Sequence, residues 1–531
     1  MVAYGGEKSG MGGAAFAAET DVFRPLANGE VRELGNRVYH LRAATNLSFY
    51  VSNHDPAESR GVFIPVLGVT NAVLRGTGAK FVFHGSGIGL LLMDTSNVRV
   101  EGVSFDWARP MFSDGDVLET RNGQVRVRFD EKTFPMRLDE SGKLVAVGED
   151  WEEPQRLMHS FSAVGAQLDL KWTSGKARKA EDGSWWIDYA VPQGTAFLMT
   201  RNGHRPSPGI VLYRADDTVM QDITVHSAFG MAILAQRCRN ITLRGSGKAA
   251  DRTCGVFPSG DRRTALAADA THFSNCRGKI LVENCFFKGT VDDALNVHAT
   301  CLSIEDVLAP DKVRCCYRHC QSFGFETFLP GERMTFIQGP AMQNGPCREV
   351  AKVEWISPKE ILVTVKDGVP EGFGKGDAVE NADFQPEVVF RNNRVEYLAA
   401  RGCLLTTSGR VMVEGNRFDH LWSPALLFAG DVQDWYESGS CCDVTIRNNL
   451  FRATPLDPRK NAVIVVAPHV TAPEKQTRPY HTGFKIQGNS FKDCTKPFIK
   501  VVRTSHDGGM PIWYNVTRGD KIPLCPVFAF E

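Results

Sequence analysis

The chain has 531 residues, is 43% hydrophobic and carries 61 Lys and Arg against 61 Asp and Glu, so it can bury a large core and has no net field to draw nucleic acid or anionic lipid. No run of about eighteen apolar residues occurs, which excludes a membrane-spanning helix, and no basic stripe interleaves with aromatics as a nucleic-acid partner would require. Fifty glycines and the scarcity of amphipathic helical windows favour an all-β chain rich in turns.

In chain order, residues 1–20 read M-V-A-Y-G-G-E-K-S-G-M-G-G and onward, with neither a basic start nor an apolar h-region. They are expected to form a flexible leader, any export signal having been removed. Residues 21–110 and 216–301 carry short alternating strands, and a motif of alternating apolar residues closing on Asn and another apolar residue recurs through 388–531. It reads V-V-F-R-N-N-R-V around Asn393, V-M-V-E-G-N-R-F around Asn416, V-T-I-R-N-N-L-F around Asn449 and F-K-I-Q-G-N-S-F around Asn489, with weaker copies at Asn97, Val219 and Ile280. A repeat of short strands with apolar spacing of two predicts a parallel β-helix, whose coils stack because none can bury its apolar face alone. The recurring Asn is expected to ladder between coils, a structural role.

Two stretches break the repeat. Residues 111–215 and 302–387 hold hairpin text, such as E-T-R-N-G-Q-V-R-V-R-F and K-E-I-L-V-T-V-K-D-G-V, and predict two inserted antiparallel β-barrel-like domains. The glycine-rich H-G-S-G-I-G at His84 runs into L-L-L-M-D and not into a helix, so it reads as a coil turn and not a phosphate loop. Fourteen cysteines in so long a chain do not make a disulfide scaffold, and the spacing of Cys315, Cys316, His319 and Cys320 matches no tetrahedral zinc pattern.

The stretch from Thr290 to Thr300, T-V-D-D-A-L-N-V-H-A-T, concentrates the chemistry. Read as one strand, it sets Asp292, Ala294, Asn296 and His298 on a wet face and Asp293, Leu295 and Val297 toward the core. Upstream, A-A-D-A-T-H-F brings Asp269 and His272 one coil away. Carboxylates gathered in this way repel one another, raise at least one pKa and so supply both the acid and the base that sugar hydrolysis needs. Candidate sugar contacts are Asn296, His298, His272 and Arg262, together with Trp435 and Glu437 in D-W-Y-E-S-G, and Asp106 and Arg109 in F-D-W-A-R-P.

The segment A-D-A-T-H-F-S-N-C-R-G-K-I-L-V-E-N-C-F-F-K-G-T-V-D-D-A-L-N-V-H, with S-N-H-D at Ser52, F-D-W-A-R-P and W-Y-E-S-G, resembles glycoside hydrolase family 110, from about Val22 to the end of the chain. The resemblance implies a right-handed parallel β-helix with β-barrel additions and an exo-acting α-1,3-galactosidase that inverts, acts on terminal galactose of blood group B glycans or of linear Galα1,3Gal, and uses no metal or organic cofactor. By position, Asp292 matches the general acid, and Asp269 and Asp293 match the carboxylates that activate water. An inverting pair is expected to stand about 6.5–9.5 Å apart. One departure is Ala299 where the family pattern has Gly, expected to narrow the pocket. The expected partner is a galactose-terminated or mucin glycan, the expected location is outside the bacterial cell, at its surface or in the periplasm, and the insertions offer surfaces for a homodimer. Two other readings stand beside this one: a polygalacturonase-like β-helix hydrolase, whose Gly-His-Gly and Arg-Ile-Lys tripeptides do not occur here, and a non-catalytic glycan-binding β-helix.

Overall fold

The computed structural model describes residues 2–3, 23–55, 59–172, 175–460, 462–501, 513–518 and 528–530. The leader expected over residues 1–20 lies outside these, except that Val2–Ala3 pair antiparallel with Ser48 and Phe49. Among the described residues the structure is strand and turn, with two short 3-10 turns at Ala249–Asp251 and Pro473–Lys475.

Two long sheets, parallel along the solenoid, run the length of the molecule. One stacks Ile88–Met93, Ile210–Tyr213, Ile233–Gln236, Thr271–Ser274, Leu295–Thr300, Cys403–Thr406 and Leu426–Phe428 in that order. The other stacks, among its members, Arg239–Arg244, Arg277–Glu283, Glu387–Arg391, Val411–Glu414 and Val444–Arg447. The inward residues of both sheets, among them Leu212, Phe273, Leu295 and Val297 on one and Ile241, Ile280, Val282 and Phe390 on the other, form one continuous core. At one edge of it Phe390, Phe418, Phe451 and Phe491 stack coil upon coil, with centroid spacings of 6.1, 5.2 and 5.0 Å.

The solenoid passes over both insertions without losing register. Ile88–Met93 pairs directly with Ile210–Tyr213, and Leu295–Thr300 with Cys403–Thr406. Between the first pair lies a seven-stranded antiparallel sheet, spanning Ser113–Arg121 to Phe197–Arg201, with a three-stranded sheet of Met136–Leu138, Leu144–Val147 and Glu152–Pro154 beside it. Between the second pair lies a closed six-stranded barrel, from Leu302–Ala309 to Ala378–Asn381.

The recurring Asn does ladder. Asn393, Asn416 and Asn449 each donate a backbone N–H to the side-chain oxygen of the next, ending on Asn489, at 2.8, 2.9 and 2.9 Å. Each side-chain amide donates to a strand carbonyl, as Asn416 does to Phe390 at 2.8 Å. The residue before each ladder Asn has a left-handed backbone: Asn392 and Asn448 at φ 56°, Gly415 at 65° and Gly488 at 64°. This is why the motif reads Asn-Asn or Gly-Asn, the two residue types most tolerant of that turn.

One element differs from expectation. The strand begins at Leu295, and Thr290–Ala294 forms the coil corner before it. Alternation therefore holds from Leu295 onward but not through the carboxylates, and Ala294 packs into the core and not onto the wet face. Asn416→Ala should leave the Asn393 N–H and the Phe390 carbonyl buried and unpaired, and denaturant unfolding should show a loss of about 2–4 kcal/mol; an unchanged midpoint would mean that the ladder does not hold the coils.

Candidate active site

The corner before each strand of the Thr271–Ser274 sheet builds the site. Register places Asp269, Asp293 and Arg401 at one position on three successive coils, two residues before Thr271, Leu295 and Cys403. They are joined as the asparagines are: Asp269 Oδ1 accepts the Asp293 N–H at 3.1 Å, and Asp293 Oδ1 accepts the Arg401 N–H at 3.1 Å. Asp292, one residue earlier, turns outward into a pocket.

That pocket is lined on the solenoid side by Asp269, His272, Asp292, Asn296, Arg401 and Leu404, and around its rim by Asn53, Arg205, Gln321, Asp431, Trp435 and Glu437. Trp435, at 49% exposure, presents a face at the rim and packs against the His319 ring at 4.3 Å. Asn296 Oδ1 is buried and meets no donor among the described residues, which leaves it able to receive a sugar hydroxyl.

Three carboxylates meet two arginines. Arg205 Nη2 donates to Asp292 Oδ2 at 2.6 Å, Arg401 Nε donates to Asp293 Oδ1 at 2.7 Å, and Arg401 Nη2 approaches Asp292 Oδ1 at 3.8 Å. One oxygen from each of Asp269, Asp292 and Asp293 lies within 4.8 Å of the others, a tighter cluster than the 6.5–9.5 Å expected from sequence, because the corner ladder stacks two of the three. The side chain of Asp292 is 20% exposed, that of Asp269 4% and that of Asp293 0%, so Asp293 is sealed from the pocket.

Burial alone would raise all three pKa values. In Asp292 the charges of Arg205, Arg401 and Arg201 outweigh burial and hold the carboxyl below its ordinary range. In Asp269 burial prevails, reinforced by the Asp292 charge and opposed by Arg205 and Arg401, and its pKa is pushed well up. Asp293 is pushed up by burial against the opposing Arg401, with the two neighbouring carboxylates adding to the rise.

Behind Asp269 stands a pair of imidazoles. His272 Nδ1 lies 2.8 Å from Asp269 Oδ2, His272 Nε2 lies 2.8 Å from His298 Nε2, and His298 Nδ1 lies 3.0 Å from the Ala299 carbonyl. Burial holds His272 down to about 3. His272, His298 and Glu437 also bring one donor atom each within 4.8 Å, but the two imidazoles spend those nitrogens on each other.

Not every residue singled out in the sequence joins this pocket. Asp106 accepts hydrogen bonds from Ser227, Ser259 and Arg262 at 2.6, 2.8 and 2.5 Å, and Arg262 borders a separate groove with Asp114 and Arg263. Arg109 is buried, donating to the carbonyls of Pro110, Phe112 and Val147, and ties the first insertion to the solenoid; burial lowers its pKa to about 9. None of these three lines the pocket of the carboxylates, and the Trp107 beside Asp106 is itself core, packed on Phe83 and Phe229. His298, expected from sequence to touch galactose, stands behind His272 and outside the pocket lining. Ala299 is buried and does not line the pocket, so its methyl does not narrow it. Arg205, Arg401 and Gln321 are not singled out by the sequence, and Asn53 enters there only within S-N-H-D and with no role; counting coil register across the second insertion would have found Arg401.

A β-helix whose pocket sets a carboxyl of lowered pKa beside one of raised pKa fits the class of the β-helix glycoside hydrolases. Residues 312–379 match the family model described as GLAA-B beta-barrel domain II. The chain is 37% identical over 508 residues to alpha-1,3-galactosidase B of Akkermansia muciniphila, covering 93% of this chain and 63% of that protein. It is 32% identical to alpha-1,3-galactosidase B of Phocaeicola vulgatus, covering 88% and 80%, and 30% identical to that of Parabacteroides distasonis, covering 92% and 81%. The chain belongs to the family of these alpha-1,3-galactosidase B proteins, and it spans less than two thirds of the length of the Akkermansia relative.

Arg401→Met should cost about 3–5 kcal/mol at neutral pH by leaving Asp293 and Asp292 without their shared cation. The Asp293 pKa then rises further above its unfolded value and Asp292 loses part of what holds its pKa down, so the deficit should grow as pH rises and shrink as the carboxyls protonate in acid; chemical unfolding at several pH values checks this.

Proposed function

We propose that the protein is an exo-acting α-galactosidase that hydrolyses terminal α-1,3-linked galactose, with inversion, from branched blood group B-type glycans and from linear Galα1,3Gal on mucin-type glycans outside the bacterial cell. The observation that carries this reading is the composition of the pocket: two carboxylates whose pKa values are pushed in opposite directions, a hydrogen-bonding wall and a half-exposed tryptophan at the rim. The names of the relatives agree with it. A neutral sugar suits the site better than a uronate, because both arginines nearest the carboxylates are spent on them.

Hydrolysis needs a proton delivered to the leaving oxygen and a base for the attacking water. Of the two carboxyls that line the pocket, Asp269 has its pKa pushed up by burial and Asp292 has its pKa held down by the neighbouring arginines. We therefore assign proton donation to Asp269 and water activation to Asp292, the exchange of the roles that the family resemblance gives them. As the C1–O bond breaks, the Asp269 proton passes to the leaving oxygen, water oxygen bonds to C1, and its proton passes to Asp292. Asp293, sealed from the pocket, acts through Arg401. Inversion is carried over from the family resemblance and not from the carboxylate spacing.

Proton NMR of the full chain with Galα1,3Gal, and separately with the fucosylated B trisaccharide, tests the reaction. β-Galactose as the first product supports it; α-galactose overturns inversion and leaves the hydrolase standing; no galactose from either overturns the reading. Asp269→Asn and Asp292→Asn should each lower kcat/KM by about two to four orders of magnitude. With an aryl galactoside of acidic leaving group only the donor variant should recover, so recovery of Asp292→Asn instead would restore the roles implied by resemblance.

A further inference from the structure

The rim that carries Trp435 has a second side. From Asp434 to Glu437 successive residues part to opposite faces: Trp435 and Glu437 line the pocket of the carboxylates, whereas Asp434 and Tyr436 line a separate cavity. The segment facing the rim divides in the same way, with Gln321 on the pocket and His319 and Cys320 on the cavity. Trp435 and His319, packed at 4.3 Å, therefore form a ridge shared by the two spaces. The space over the carboxylates is about 130 Å³ and the space beyond the ridge about 430 Å³, the latter of the size usual for a small-ligand site.

The wall of this cavity holds polar groups with nothing to bind. Tyr436 is 9% exposed, and its ring belongs to a small apolar cluster with Cys301 and Val432. Its hydroxyl meets no hydrogen-bond partner among the described residues and is not sealed from solvent, so it opens on the cavity, where Arg318 and Glu305 also stand. Lys375, on the exposed side, makes no hydrogen bond or ion pair among the described residues. The other charges are already answered: Arg318 donates to Glu305 and to Ser303, and His469 stands 3.5 Å from Asp434. Two carboxylates against one guanidinium and one ammonium leave no excess of either sign. Such a wall suits a neutral pyranose, whose hydroxyls both donate and accept and whose ring lies well against an aromatic side chain.

We infer that the cavity is a second glycan subsite, which takes a neutral sugar of the leaving chain while the terminal galactose occupies the pocket of the carboxylates and the chain between them crosses the Trp435 ridge. Tyr436 and Lys375 are then specificity-determining residues for glycan length. The inference rests on the galactosidase reading for the direction in which the chain lies. It accounts for the larger space being on the far side of the rim, since an exo-acting site closes over one terminal residue and meets the rest of its substrate outside. Contacts made there, remote from the bond that breaks, are equal in ground and transition states and act on KM and not on kcat.

A series of chain lengths tests this. The full chain is assayed with Galα1,3Gal and with oligosaccharides of the same non-reducing end extended on the reducing side by one, two and three neutral sugars. The value of kcat/KM should rise about fivefold or more along the series, chiefly through KM. Tyr436→Phe keeps the packed ring and loses the hydroxyl, and it should lower kcat/KM for the longest substrate about three- to tenfold more than for the disaccharide. Lys375→Ala, on the exposed side, supplies the same ratio if Tyr436→Phe does not fold. A merely structural role for Tyr436 would lower both substrates alike, so equal losses, or a flat series in the wild type, overturn the subsite. No galactose from any member overturns the galactosidase reading and leaves the subsite to be judged by crystals of the wild-type chain soaked in the longest oligosaccharide: a sugar within hydrogen-bond distance of the Tyr436 hydroxyl supports it, and a cavity without one overturns it.

Discussion

A backbone N–H on one coil, accepted by a side-chain oxygen on the next, is the interaction on which the rest of this molecule depends. A solenoid is held along its strands by the sheet ladders, but at each corner the chain leaves the sheet and its N–H groups lose their ladder partners. Buried and unpaired they would cost more than a marginal fold can bear. Asparagine meets the need at one corner and aspartate at another. The two differ in what they add. The asparagine amide closes the ladder on itself by donating to a strand carbonyl, whereas aspartate brings a charge, and with it a demand for cations.

That demand accounts for the arginines. Two carboxylates stacked at neighbouring corners, with a third beside them, cannot all ionise in a buried setting. Arg401 occupies the next corner along the same stack, and Arg205 arrives from the return of the first insertion, four residues beyond the strand Phe197–Arg201. The unequal reach of these two cations, one against Asp292 and the other chiefly against Asp293, leaves Asp269 as the carboxyl served by neither directly. Structural stacking and chemical asymmetry thus have one cause.

Much of this was legible in the sequence. Laddering demands the same residue type at every coil, so the Asn motif announces both the period and the role of the residue. The carboxylates were legible in another way, as the adjacent pair Asp292 and Asp293 with Asp269 about one coil upstream. Arg401 was not, because it follows Asp293 by 108 residues although it lies on the adjacent coil, and the barrel between them hides the register. Asp106 and Arg109, read as sugar contacts, lie outside the pocket lining, because a polar residue near a tryptophan reads the same in sequence whether its partner is a sugar, a distant serine or a backbone carbonyl. The strand start at Leu295 was also beyond reach, since a corner and a strand can both be written T-V-D-D-A-L; what separates them is the neighbouring coil.

The loop that carries Trp435 and Glu437 is wound around one carboxylate: Asp431 accepts the backbone N–H groups of Gln433, Asp434, Trp435 and Tyr436. A segment so tied has already surrendered its backbone freedom during folding, at about 1–2 kcal/mol per residue. A ligand that settles against Trp435 therefore meets a surface already set in shape, and little of its contact energy is diverted to ordering the loop. Discrimination between ligands would then follow the rigid outline of this rim, in the manner of a template, and not the ability of the rim to mould itself to each of them.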